Sequence, residues 1–226
     1  MKRVFQIVLI VFAVFLAILA FRSIMRPEKF RMVYELRKNE IRNRLVTLRV
    51  AQVVYKNEYK TFASNVDSLA YFVNHKMVTI IKNVGTIPEG MTEADAFKAG
   101  LLKKEVMYIP AKNKVLESDP SLEAYLKDFH LIPFTHGKKF TIQLDSIKSS
   151  TYVIPVYRID VPLDDILANM DESIIPEHES ILKKALNHLL FNGLANEEQY
   201  KNLYKPIWMG SLTEANTSGS WEALGN

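Results

Sequence analysis

From Val4 to Phe21 the chain is apolar at every position except Gln6, and from there on apolar residues recur at helical or strand spacing. Eighteen residues at about 1.5 Å each approach the length needed to cross a hydrocarbon core of about 30 Å. Ser23, Ile24 and Met25 extend the run, with Arg22 reaching toward the headgroups. The pattern predicts a membrane anchor over residues 1–25, carried by Val4, Phe5, Ile7, Leu9, Phe12, Phe15, Leu19 and Phe21. Met1-Lys2-Arg3 before an apolar core also suits a cleaved signal peptide. With Ala20 as the last residue removed, however, the bulky Ile18 would stand two positions earlier, so an uncleaved anchor is expected.

A second periodic segment follows without a break. Pro27 suits the first turn of a helix, and Glu28 suits its positive end. Phe30, Val33, Ile41, Leu45, Leu48, Tyr55 and Tyr59 form a helical stripe, interrupted by Arg37 and Gln52. Val46, Val50, Val53 and Val54 spread apolar character around the second half, which predicts burial there. The first half, with Arg22, Arg26, Lys29, Arg31, Arg37 and Lys38, reads as a basic juxtamembrane stalk within residues 26–62.

An α+β domain is expected over residues 63–161. The helix should end near Lys60, and another should start at Ser64 or Asn65. Val78–Val84 reads as a strand closed by Gly85, and Thr92 caps a short helix ended by Gly100. Lys104–Pro110 reads as a strand, Ala111–Leu116 as an extended segment beside it, and Pro120–Phe129 as a helix with Leu122, Leu126 and Phe129 inward. Leu131–Phe134 and Lys139–Leu144 flank His136-Gly137 as a hairpin, and Thr151–Val161 alternates as a strand with an edge-type Pro155. Residues 162–226 read as a helical part: Leu163–Met170, Glu177–Asn192 and Glu197–Tyr204 as helices, then Ile207-Trp208-Met209 as a strand and a small polar tail.

Charge sharpens this division. Residues 1–60 hold 13 Lys and Arg against 4 Asp and Glu, while the remainder holds 16 against 21. A basic block beside an anchor is drawn to anionic headgroups, so the bilayer is the expected partner and nucleic acid is not. Counted alone, the basic residues after the span outnumber Lys2 and Arg3 and favour a cytoplasmic domain. The short Met1-Lys2-Arg3 tail, with the later basic residues placed in a structured helix, favours an N-terminus inside and a domain outside the cytoplasm.

Candidate chemistry is sparse. The chain has no cysteine, which excludes disulfides and thiol catalysis. His178 and His188, ten residues apart, point in different directions on a helix, and Glu177 and Glu179 suit a helix start. Asp160, Asp164 and Asp165 around Pro162 read as a helix cap. No nucleophile elbow or phosphate loop occurs, so no catalytic, cofactor or metal residues are expected. Tyr200, Tyr204, Trp208 and Trp221 make the C-terminus aromatic; they suit a core, with Tyr204, Trp208 and Trp221 as a candidate partner surface.

Ala51, Tyr55, Phe62, Ser64, Asp67 and Leu69, after a membrane helix that continues into an amphipathic one, resemble the type IV pilin and type II secretion pseudopilin superfamily. That resemblance implies a long helix packed on an antiparallel sheet and self-association through the N-terminal helix. The chain lacks the Gly-Phe processing site and the glutamate at the fifth position of the apolar segment that pilins use. The tail from Met209 to Glu222, with the anchor and the Glu93–Val106 stretch, is similar to a family of uncharacterised single-pass envelope proteins of Gram-negative bacteria. Together these imply an inner-membrane, non-enzymatic envelope protein with a periplasmic domain that contacts other envelope proteins. The alternatives are a pseudopilin-like filament subunit and an anchored enzyme or chaperone.

Overall fold

The computed structural model describes residues 2–148, 152–171 and 204–222. The fold is α+β with antiparallel sheets. In chain order the elements are α1 (Lys2–Tyr59), α2 (Val66–His75), β1 (Met77–Gly85), α3 (Glu93–Lys98), β2 (Leu102–Pro110), α4 (Ala111–Ser118), a 3₁₀ turn (Pro120–Ala124), β3 (Ile142–Lys148), β4 (Val153–Val161), α5 (Leu163–Leu167) and β5 (Ile207–Gly210). The helices expected over Glu177–Asn192 and Glu197–Tyr204, with His178 and His188, lie outside the described residues apart from Tyr204.

α1 is one helix, so Pro27 stands in its interior rather than in a first turn. A proline there removes one bond of the helical ladder, and the good helix formers on either side carry the helix through. The helix stops where Lys60 turns left-handed at φ 63 and its N–H closes on the Lys56 carbonyl at 2.8 Å.

The contacts divide the chain into two compact units. The first holds α1 up to Ile41, Pro133–His136 and Val161–Ile207. Its core is aromatic: the Tyr204 ring meets Phe30 edge-on at 4.8 Å between centroids and Tyr34 at 4.6 Å. Tyr34, not the predicted Val33, is the buried residue on that turn, because its hydroxyl reaches a partner there: it donates to the Lys205 carbonyl at 3.0 Å. Arg37 does not face lipid or water freely. Its guanidinium donates to the carbonyls of Ile166, Ala168 and Asn169 at 3.1, 2.5 and 3.2 Å and stacks on Phe134 at 4.8 Å. Of the three acids read as a helix cap, Asp164 and Asp165 stand in the first turn of α5, while Asp160 pairs with Arg158 at 2.9 Å instead. Pro162 is the residue before α5 and makes no side-chain cap bond, since its ring carries no polar atom.

Burial, reinforced by the Glu35 carboxylate, pushes the Tyr34 phenol up to about 12 from its ordinary 10. A raised phenol favours the folded state while protonated. That contribution is complete below pH 10 and is lost as pH climbs from 10 through 12. Tyr34→Phe should therefore flatten the fall in unfolding midpoint across that window. An unchanged slope would show that Tyr34 ionises as freely folded as unfolded.

The second unit comprises residues 42–132, 137–160 and 208–226 as far as they are described. Leu45, Leu48, Ala51 and Val54 on α1 are buried, as are Leu69, Phe72 and Val73 on α2. Val53 is exposed, so the valine-rich half of α1 is covered on one broad face rather than all round. Gln52, which reads as an interruption of the stripe, is fully buried. It donates to the Ala63 carbonyl at 3.0 Å and accepts from the Ala63 N–H at 2.9 Å. Arg44 similarly donates to the carbonyls of Asp128 and Leu131, both at 3.0 Å, and pairs with the Asp128 carboxylate at 2.9 Å.

Three local expectations are corrected here. Ala111–Leu116 is helical, in α4, because Ala111 and Val115 fall four apart and bury one helical face. Pro120–Phe129 is a 3₁₀ turn followed by further turns, although Leu122, Leu126 and Phe129 are inward as expected. The hairpin around His136-Gly137 reduces to one bridge, Leu131 with Lys139; β3 pairs with β4 instead, from Ile142 opposite Ile159 to Lys148 opposite Val153. β4 is the middle strand of order β3-β4-β5, and Pro155 is tolerated because β5 has only four residues, too few to line all nine of β4.

Candidate interaction surface

β1 and β2 form a separate two-stranded ribbon, in register from Met77 opposite Pro110 to Gly85 opposite Leu102. A two-stranded ribbon is marginal by itself in water and needs packing at its ends. At the base Val78 is buried, α4 packs against both strands, and the Ala111 N–H bonds the Lys76 carbonyl at 2.9 Å. At the tip, Thr92 caps α3 as predicted, accepting from the Asp95 N–H at 3.3 Å. Asn83 bonds Glu93 at 2.7 Å, Lys104 lies over the Phe97 ring at 5.6 Å, and Ala96 and Leu102 are buried.

Between these two holds one face is bare. Successive residues of a strand point to opposite faces, so Met77, Thr79 and Ile81 share a face with their partners Pro110, Tyr108 and Val106. Ile81, Val106 and Tyr108 are 63%, 52% and 66% exposed, and Met77 is exposed beside them. Such contiguous exposed apolar groups, followed on the same face by Lys104, are what a contact surface offers. The sequence placed both strands but not this exposure, since their alternation predicts one buried face and only the base of the ribbon has one. The signal that could have found it is the apolar residues at both parities in Met77–Ile81 and Val106–Ile109.

The residues read as an anchor lie along α1. Phe5, Ile7, Leu9, Phe12, Phe15 and Phe21 are exposed, and the side chains of Val4 and Leu19 are outside the described set. The longest unbroken apolar run of described side chains is Ile7–Ile18, and among the described residues no helix is long and apolar enough to cross a membrane. Of the stalk residues, Lys29 and Arg31 are exposed, Lys38 sits 3.7 Å from Glu35, and Arg37 is the carbonyl clamp described above. The side chains of Arg22 and Arg26 are not described.

The C-terminal aromatics are divided between the two units. Tyr204 is buried within the first unit. In the second unit, Trp208 is half-buried under the Arg158 guanidinium at 5.0 Å, and Trp221 lies against Gly219 with Arg42 at 5.9 Å. The polar tail docks on its own domain: Ser220 N–H bonds the Trp208 carbonyl at 2.8 Å, Gly210 N–H bonds Ser218 at 3.0 Å, and Arg49 pairs with Glu222 at 2.6 Å. Burial alone would raise the Glu222 carboxyl, but the hydrogen bond and charge of Arg49 outweigh it and hold the group below its ordinary range.

Among the described residues, titratable groups elsewhere do not converge on one point. An open groove of about 520 Å³ is lined by Tyr55, Tyr59, Tyr71 and Phe72 with Asp67 and Lys76. The rings of Tyr55, Tyr59 and Phe72 pack on one another at 4.6–5.6 Å, which leaves no slot between them, and Asp67 pairs with Lys139 at 2.8 Å. The Tyr157 hydroxyl and His130 Nδ1 are buried without a hydrogen-bond partner among the described residues, and burial pushes the Tyr157 phenol up. Among the described residues no three His, Asp or Glu side chains gather as a metal site. Compared with family models, curated proteins and solved structures, the chain matches none.

Proposed function

We propose that this chain is a membrane-anchored, non-enzymatic envelope protein, a subunit of an export, assembly or trans-envelope complex that acts through protein–protein contacts. The exposed apolar face of the β1–β2 ribbon carries this reading, because water-facing Ile81, Val106 and Tyr108 gain free energy only when a partner covers them. The eighteen-residue apolar run and the continuity of α1 from Lys2 to Tyr59 support an anchor that passes into the domain in a pilin-like manner. The inner membrane and a periplasmic domain follow from that anchor and the basic Met1-Lys2-Arg3 tail.

The test is topology joined to partner capture. A C-terminal reporter active only outside the cytoplasm should be active, with an intact N-terminal mass. Photo-cross-linkers at Ile81 and Tyr108 should then capture protein in membranes, while one at exposed Asn57 should not. A cytoplasmic C-terminus overturns the envelope assignment. Equal capture from Asn57 and Ile81 overturns the ribbon as the contact surface.

A further inference from the structure

The ribbon has one edge that is ready to pair. In an antiparallel ladder, alternate residues turn both main-chain groups toward the neighbouring strand and the others turn both away. The Ala111 N–H bonds the Lys76 carbonyl, continuing the register one step past Met77 and Pro110, so even-numbered residues of β1 face β2. The Thr79 N–H instead leaves the ribbon to bond the Glu58 carboxylate at 3.1 Å, with its hydroxyl on the other oxygen at 3.3 Å. The partners of the outward β1 residues are Tyr108, Val106 and Lys104. Glu58 therefore occupies the β1 edge at Thr79, while the β2 edge presents the N–H and C=O groups of Lys104, Val106 and Tyr108. Among the described residues no strand pairs with that edge. Unprotected edge strands of this kind are templates for another strand.

We propose that the partner of this edge is a second copy of the chain, β2 pairing antiparallel with its own copy across a two-fold axis at Val106. The inference rests on the ribbon being a contact surface, and it names what covers it. In this register Val106 exchanges both main-chain bonds with Val106 of the second copy, and Lys104 does the same with Tyr108. Glu105 comes opposite Met107 and Lys103 opposite Ile109, so no like charges oppose one another. The neighbouring registers are worse for stated reasons. An axis at Lys104 sets that lysine against itself, and one at Glu105 does the same to the carboxylate. An axis at Met107 brings Pro110, which has no N–H, opposite Lys104, and one at Tyr108 brings it opposite Val106, in both cases further inside the pairing than the terminal Leu102. The Val106 register uses all the outward groups of Lys104, Val106 and Tyr108 without setting like charges opposite one another, and it leaves Pro110 opposite Leu102 at the strand end. The two ribbons become one four-stranded sheet, and the exposed Ile81–Val106 rows run together across the axis, as a self-complementary two-fold contact requires.

The chain has no cysteine, so a single introduced one reports only intermolecular contact. Residues bonded across an antiparallel pair have Cα atoms about 5.5 Å apart, within disulfide reach. In full-length protein in detergent or native membranes, Val106→Cys should form a covalent dimer on mild oxidation. Lys104→Cys and Tyr108→Cys, each about 13 Å from its own copy at about 3.3 Å per residue, should not cross-link singly but should do so when combined. Val106→Pro removes the central outward donor without touching the ladder to β1 and should abolish the dimer while the tryptophan fluorescence stays native. Tyr108→Lys should weaken the dimer roughly tenfold by opposing Lys104, and adding Lys104→Glu should restore it. Equal cross-linking at all three single sites, none at Val106, or a dimer that survives Val106→Pro overturns the proposal. A dimer held only by the N-terminal helices would show the last two results. The topology experiment can fail while this one succeeds, since the register does not depend on which side of a membrane the ribbon occupies.

Discussion

Gln52→Leu is expected to destabilise the second unit by about 3 kcal/mol, although leucine fills the position and favours a helix as well as glutamine does. The side chain is fully buried and satisfies both main-chain groups of Ala63, the residue that turns the chain from α1 toward α2. Removing it strands a donor and an acceptor where water does not reach, at about 1–3 kcal/mol for each buried group left unpaired. The transfer gain of the extra apolar surface offsets only part of that. Trp208 and Trp221 both lie in this unit, so denaturant unfolding followed by their fluorescence reads the loss directly. Gln52→Glu should also lose stability, since it keeps the acceptor for the Ala63 N–H but buries a charge and gives up the donor. A midpoint for Gln52→Leu indistinguishable from the parent protein would mean that Ala63 finds other partners, and the turn would not depend on Gln52.

Gly210→Ala is expected to cost about 3 kcal/mol for two separable reasons. The residue has φ +81, where a side chain is strained, and a Cβ there would stand 2.2 Å from the Tyr157 carbonyl oxygen and 3.1 Å from its carbon. Neither strand can move aside easily, because Gly210 also donates to Ser218 and the tail closes over β5 from Ser220 to Trp208. Gly137 supplies the comparison. Its φ is +82, but nothing lies within 4 Å of its Cβ position, so Gly137→Ala should carry only the conformational strain of about 1 kcal/mol. Equal losses at the two glycines would show that the close approach of β5 to β4 is not what requires glycine at 210.

Much of the local structure was legible because its causes are local. The Asn65 and Thr92 caps, the Lys60 stop, and the strands Met77–Gly85 and Leu102–Pro110 follow from side-chain bonds within a few residues or from short alternating runs. Where a cause lay elsewhere in the chain, local reading failed. Ala111–Leu116 looked extended, but the helix there is chosen by burying Ala111 and Val115. Lys139–Leu144 looked like half of a hairpin, but Val153–Val161 supplied a longer partner. The polar residues Arg37 and Gln52 read as interruptions of the stripe, and each is instead a donor to a carbonyl more than ten residues away.

The same division applies to the candidate surface. The sequence alone determined the apolar N-terminal run, the basic block after it, the lack of thiols and the apolar character of both ribbon strands. These depend only on residue type and spacing, so no folding information is needed to see them. Tertiary structure decided which apolar residues stay in water. Val78 and Val84 are the same residue on the same face of one strand, yet the first is buried at the base, where α4 packs on both strands, and the second is exposed near the tip. Exposure is a property of what the rest of the chain leaves uncovered, and strand periodicity cannot report it.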